Sequence, residues 1–246
     1  MSDNRSRTGT LGLGVLLIFL DITKFGLNEI PPVTLTAILG QVLLFLGAFG
    51  VPWDKWDVCL SGDKVWNGLE FQRLALSLLE HADDMHLYFN MGFLLIKGSV
   101  LERKYRSANF SILIAVLALT TSVIHVGLAI LVSHLLNDNS VMTCCAIGFS
   151  GVLFALKVVT TQESEPKYFQ IDGFWVNLRY MPWVELIAIH VTVPKASFMG
   201  HLAGVLAGVL YTKTIVGSIL DAAIQRVTGR SVEHDIYYYN ILDDDE

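Results

Sequence analysis

Charged side chains are scarce in this sequence. Asp, Glu, Lys and Arg together make up 16% of the 246 residues, where a soluble domain carries roughly 25%. With 53% hydrophobic residues and a mean hydropathy of +0.53, that shortage excludes an ordinary soluble globule and points to an integral membrane protein of one domain. Cysteine is scarce as well. Cys59, Cys144 and Cys145 are odd in number, two of them are adjacent, and no spacing suits zinc. Neither a disulfide framework nor a bound metal is therefore expected. No basic run is present, and much of the acid behind the formal charge of −6 lies in one loop and the tail, so nucleic acid is excluded as a partner. The absence of H-E-x-x-H excludes an intramembrane zinc protease. No inverted repeat or pair of Gly/Pro-broken helices marks a transporter or channel. Nothing implies a cofactor.

What is present is a series of apolar runs. Residues 11–20 follow Arg5 and Arg7 like a signal-peptide core, but Asp-Ile-Thr-Lys-Phe-Gly comes next, without a small-residue cleavage site, so the segment is expected to stay. Residues 11–28 are short for a span of roughly 20 residues and read as an extra hydrophobic or interfacial helix, closed by Pro31-Pro32. Six spans follow, at 33–51, 85–101, 110–134, 144–161, 181–193 and 197–215. The fifth has the shortest apolar stretch and contains Glu185. Long polar loops occupy 52–84 and 162–180. The expected organisation is an N-terminal segment (1–29), a six-helix all-α membrane domain (30–215) and a polar, acidic tail (216–246). With both termini in the cytosol, twelve Lys and Arg residues flank the cytosolic side and four the far side, the asymmetry that the positive-inside rule requires.

Two small-residue motifs organise the chain. Gly148-Phe149-Ser150-Gly151 heads one apolar helix, and Gly200-His201-Leu202-Ala203-Gly204 heads another, with Gly208 one turn on. A serine in a membrane helix ordinarily bonds its own backbone, and glycines at every fourth residue are ordinarily a packing ridge. Here the two readings join. Gly151, Gly204 and Gly208 let the helices approach closely, and close approach would bring the Ser150 hydroxyl to the His201 imidazole, a nucleophile and its base. No carboxylate lies at that depth, so the expectation is a dyad. The soluble elbow G-x-S-x-G is not matched, because Val152 stands two residues after Ser150. His86 and Asn90, four residues apart, share a helix face and can both donate to a developing oxyanion, as can the Ser150 amide. In the six-span layout His86, Ser150 and His201 all fall near one membrane face. His125 and His190 are expected to serve packing or hydrogen bonding.

His86-xxx-Asn90, Gly148-Phe149-Ser150-Gly151 and His201-xx-Gly204-xxx-Gly208, in this order on a six-span frame, resemble the rhomboid intramembrane serine proteases. The match covers roughly residues 30–215. Arg73 and Glu102 resemble positions that brace that fold, and the GFSGVLFALK and HADD stretches resemble the animal rhomboid-related protein four type, which is similar to an endoplasmic-reticulum enzyme. The resemblance implies hydrolysis of a peptide bond in or next to a membrane segment of another protein. Ser150 would be the nucleophile, His201 the base, and His86, Asn90 and the Ser150 amide the oxyanion donors. The partners implied are transmembrane substrates, the lipid bilayer and quality-control proteins reached through the tail. Phe154 stands where the family often has a tyrosine stacked on the histidine, and Gly200 where an alanine is usual. The Leu242–Glu246 end shows no ubiquitin-interacting helix of the kind that the resembled type carries in a longer tail. The alternative is a rhomboid-fold protein that binds membrane clients without cleaving them; such relatives typically lack the serine or the histidine, and both are here.

Overall fold

The structure, a computed structural model, describes residues 12–163, 167–171, 174–193 and 196–234. Arg5, Arg7, Lys195 and the acidic end of the tail lie outside the described residues. Helices α1 (Leu13–Phe25) and α2 (Pro32–Phe45) precede two short helices, α3 (Gly62–Trp66) and α4 (Arg73–Leu76), in the first long loop. The bundle continues with α5 (Asp84–Tyr105), α6 (Ser107–Leu136), the short α7 (Ser140–Thr143) and α8 (Ser150–Gln162). After strands β1 (Tyr168–Ile171) and β2 (Phe174–Asn177) come α9 (Met181–Thr192), α10 (Phe198–Lys213) and α11 (Ile215–Thr228).

Local chemistry sets several of these boundaries. Pro32 occupies the first turn of α2, where a missing N–H costs nothing. The Glu102 carboxylate accepts from the Val33 and Thr34 amides at 2.9 and 2.7 Å, satisfying donors that a helix start leaves open. Asp83 caps α5 by accepting from His86 N–H, and Ser197 caps α10 by accepting from Gly200 N–H; such caps are worth about 1 kcal/mol each. α1 lies against α5, with Val15, Ile18 and Ile22 buried and the Gly14 amide bonded to Asp84 Oδ2.

The core runs along α5, α6, α8 and α10. Leu87, Leu94, Leu113, Val152, Leu156 and Val159 are all fully or almost fully buried. α8 and α10 pack closest. A Cβ placed on Gly204 would lie 1.9 Å from the Gly151 carbonyl oxygen, and one on Gly208 would lie 2.6 Å from the Val158 Cβ. The outer surface is apolar: Phe89, Phe93, Ile96, Val123, Ile187 and Val191 are exposed, more apolar area than a soluble monomer shows to water. α6 is long and apolar enough to cross a bilayer alone; α10 and α11 qualify only as a pair, meeting at a 76° bend, and α2 is apolar but shorter.

Four expectations need correction. The 162–180 loop is not merely polar. It holds an antiparallel hairpin, Tyr168 facing Asn177 and Ile171 facing Phe174, so the chain is not strictly all-α. The helix expected from residue 144 starts at Ser150, because residues 144–149 are non-helical and are held beside the first loop by a bridge between Leu60 and Ala146. That bridge places the Cys59 and Cys145 Cα atoms 5.4 Å apart and the two form a disulfide, where none was expected; Cys144 is free and exposed. Finally, ordered packing continues past residue 215. α11 buries Ile224, and Val232 joins the main core.

The end of α8 remote from Ser150 is tied to the tail. Glu163 binds Lys104, Tyr105 and His234, and His234 Nε2 reaches Asp221 on α11 at 2.8 Å. Burial alone would pull the His234 pKa down, but hydrogen bonds to Asp221 and Glu163 and their charges carry it up to about 9. A folded pKa above the unfolded value of about 6.5 makes His234 stabilising below that value, with the contribution lost as pH rises through about 9.

Candidate active site

Three helices begin at one face of the bundle, and each brings a polar group in its first turn. Ser150 is the first residue of α8, His201 the fourth of α10 and His86 the third of α5. The approach of α8 to α10 sets the first two together: His201 Nε2 lies 2.8 Å from Ser150 Oγ. A 51-residue separation in sequence thus closes to a hydrogen bond. His201 is almost fully buried and Ser150 partly so. The other ring nitrogen, His201 Nδ1, is buried without a hydrogen-bond partner among the described residues. Among the described residues no carboxylate completes a triad.

Phe154, one turn along α8, lies over the His201 ring at 4.8 Å between centroids and 32° between planes. Its backbone position follows from the helical period, since residues 150 and 154 share a face.

His86 reaches the serine segment at Gly148, whose φ of +118° suits glycine. A Cβ on Gly148 would lie 2.7 Å from His86 Cε1 and 2.9 Å from Nε2, so both backbone conformation and space require glycine there. The Ala82 amide donates to His86 Nδ1 over 3.4 Å. In the neutral ring the proton then sits on Nε2, the nitrogen beside Gly148. Asn90 is buried one turn further along α5. Its side chain gives one amide hydrogen to the His86 carbonyl at 2.7 Å and keeps the second. The Ser150 amide, at the first position of α8, belongs to the donors that an α-helix leaves unpaired, with the favourable end of the helix dipole behind it.

The first loop holds the serine segment in place. The Gly148 amide donates to the Ser77 carbonyl at 2.9 Å, the Leu60–Ala146 bridge contributes bonds of 2.8 and 3.0 Å, and the disulfide joins the same strands. Arg73 is buried and donates to the Cys59 carbonyl at 2.8 Å and to Glu70. His81, in the loop before α5, is fully buried with its ring edge-on to His86 at 5.2 Å. Burial, and after it the neighbouring His86, hold its pKa down to about 3, so it stays neutral.

Sequence reasoning assigned His190 to packing or hydrogen bonding, and its ring nitrogens do lie 3.1 Å from the Leu186 and Ala196 carbonyl oxygens; what it did not foresee is that the ring lies 5.8 Å from that of His201. Glu185, awkward in an apolar helix, pairs with Lys157 of α8; a charge inside a bilayer needs such a partner.

A family model described as the rhomboid domain matches residues 68–218. Among curated proteins, rhomboid-related protein 4 of Mus musculus is 43% identical over 87% of this chain and 67% of its own length. The Homo sapiens protein of the same name is 40% identical over 88% and 68%. Rhomboid-type serine protease 2 of Eremothecium gossypii is 30% identical over 58% of this chain and 52% of its own length.

Proposed function

Because the chain belongs to the rhomboid family, we propose that it is an intramembrane serine endopeptidase working through Ser150 and His201. The observation that carries this reading is the 2.8 Å contact between His201 Nε2 and Ser150 Oγ, at the head of two helices that glycine packing locks together.

In the proposed reaction His201 Nε2 takes the hydroxyl proton as Ser150 Oγ attacks the carbonyl carbon of a scissile peptide bond. Negative charge then develops on the carbonyl oxygen. The donors aimed at it are His86 Nε2–H, the second amide hydrogen of Asn90 and the Ser150 backbone N–H, groups fixed before the reaction begins. The protonated His201 gives its proton to the leaving amine, an acyl-enzyme remains, and water activated by His201 releases it. Substrates are transmembrane segments of other proteins, entering sideways from the bilayer past α9, of which only Pro182 and Leu186 are buried.

The donor set is testable alone. Asn90→Ala should lower the single-turnover cleavage rate of a detergent-solubilised transmembrane reporter with little change in substrate binding. Loss of one oxyanion donor costs about 100–1000-fold in soluble serine proteases, and about 10–100-fold is expected here because two donors remain. A folded His86/Asn90 double variant cleaving at the wild-type rate would remove this role from both. That result would favour a client-binding protein.

The proposed setting is the endoplasmic-reticulum membrane, crossed by six spans with both termini cytosolic and the dyad near the lumenal face. Tail-borne quality-control partners remain part of the proposal. The exposed free thiol of Cys144 reports on orientation. In sealed endoplasmic-reticulum vesicles a membrane-impermeant maleimide should leave it unlabelled, and permeabilisation should expose it. Labelling in intact vesicles would reverse the topology. A lumenal position also suits the Cys59–Cys145 disulfide, since disulfides persist in oxidising compartments.

A further inference from the structure

We infer that His190 is a positioning residue for the general base: its ring, carried on α9, fixes the orientation of the His201 imidazole. The inference rests on the serine-protease reading above and goes beyond it.

The need for such a residue follows from the dyad itself. In a Ser-His-Asp triad the carboxylate binds the distal ring nitrogen and so holds the imidazole in one orientation and tautomer. Here His201 Nδ1 is buried with no hydrogen-bond partner among the described residues. An imidazole held only through Nε2 can still rotate about its χ2, a broad torsion with no deep staggered wells. Its orientation must come from what packs against the ring. On one side is Phe154, tilted by 32° at 4.8 Å. Against another side is His190, edge-on at 5.8 Å and 76°. Rotation about χ2 swings the ring out of its plane, so Phe154 opposes it against one side of the ring and the edge-on His190 opposes it against another.

His190 is itself held firmly. Its Nδ1 lies 3.1 Å from the Leu186 carbonyl oxygen and its Nε2 lies 3.1 Å from that of Ala196; a neutral ring donates to one of the two. The second contact joins α9 to Ala196, just before α10. The ring also stands perpendicular to Phe198, the first residue of α10, at 4.8 Å. The seat of α9 is thereby linked to the first turn of α10, which carries His201. α9 is otherwise lightly packed, with two buried residues and the Lys157–Glu185 pair. Movement of α9 to admit a substrate would carry the His190 ring with it. The base would then be correctly aimed only once α9 has returned.

The ring and the hydrogen bonds can be separated by substitution. His190→Phe keeps an edge-on ring and loses the bond to Ala196; His190→Gln keeps a donor for Ala196 and loses the ring. His190→Ala should lower kcat for a transmembrane reporter about ten- to hundredfold, the scale of a small misplacement of a catalytic group, with KM nearly unchanged. His190→Phe should recover most of that loss and His190→Gln little. Phosphonylation of Ser150 by a fluorophosphonate, with loss of fluoride, should follow the same order, with thermal stability recorded on each preparation. Rescue by Gln and not by Phe would overturn the inference in favour of a loop tether. So would wild-type kcat in the folded variants, or an effect confined to KM. If His190→Ala does not fold, the comparison of Phe with Gln decides. Failure of the wild-type protein itself to react with the fluorophosphonate would sink the protease reading instead.

Discussion

Ser150→Ala is expected to abolish cleavage of a transmembrane reporter while leaving the protein folded. The change deletes one oxygen from a partly buried site and leaves the Cβ as a methyl group. It leaves the α8 start, the Gly151–Gly204 contact and the Phe154–His201 stack in place. Only the bond to His201 Nε2 is lost, and a neutral hydrogen bond contributes about 1 kcal/mol net, so the melting temperature should barely move. The rate should fall to background. Removing the nucleophile of a soluble serine protease costs on the order of 10⁶ in kcat, because neither the base nor the oxyanion donors have a covalent intermediate left to act on. Cleavage by the alanine protein at a rate near wild type would show that another group attacks the peptide bond.

Gly204→Val should be at least as damaging, for a different reason. A Cβ on residue 204 falls 1.9 Å from the Gly151 carbonyl oxygen and 3.0 Å from its Cα. Those are backbone atoms of α8, one residue after Ser150, and no rotamer change can move them aside. The helices must separate, and overpacking of this kind costs about 3 kcal/mol or more when the neighbour cannot yield. Separation also opens the Ser150–His201 hydrogen bond. The expectation is a lowered melting temperature together with loss of cleavage in whatever fraction folds. Gly208→Ala is a milder control: its Cβ meets the Val158 side chain at 2.6 Å and lies two turns from the dyad, so stability should fall more than chemistry. A fully active, normally stable Gly204→Val protein would contradict the close approach of α8 and α10.

The approach of Ser150 to His201 was legible in the sequence because its requirements are local and repetitive. Close helix approach demands small residues at every fourth position, and Gly200, Gly204 and Gly208 declare that without reference to the rest of the fold. The charge asymmetry of the loops is similarly local. What escaped depends on contacts between distant segments. The pairing of Cys59 with Cys145 needs the first loop to lie against residues 144–149, which no spacing announces. The partner of Glu185, Lys157, sits on another helix. The hairpin did carry a signal: Phe174-Trp175-Val176, three strand-favouring residues, follow Asp172-Gly173, a common hairpin-turn pair. Polar composition outweighed it. α11 was hidden by the acidic residues beyond it, although Ile215, Ile219 and Val227 are exposed and Ile224 is buried, the mark of a helix with two apolar contacts. His190 stands eleven residues before His201, and only the fold-back of the intervening turn brings the rings together.

The most direct measurement is covalent labelling of the purified, folded protein with a fluorophosphonate, followed by peptide mass analysis of the adduct. A single phosphonyl group on Ser150, absent from Ser150→Ala and formed much more slowly in His201→Ala, is the expected result, because only an activated serine beside a base reacts at such a rate. No adduct on folded protein, or an adduct on another residue that persists in Ser150→Ala, would contradict the assignment of Ser150 and His201 as nucleophile and base.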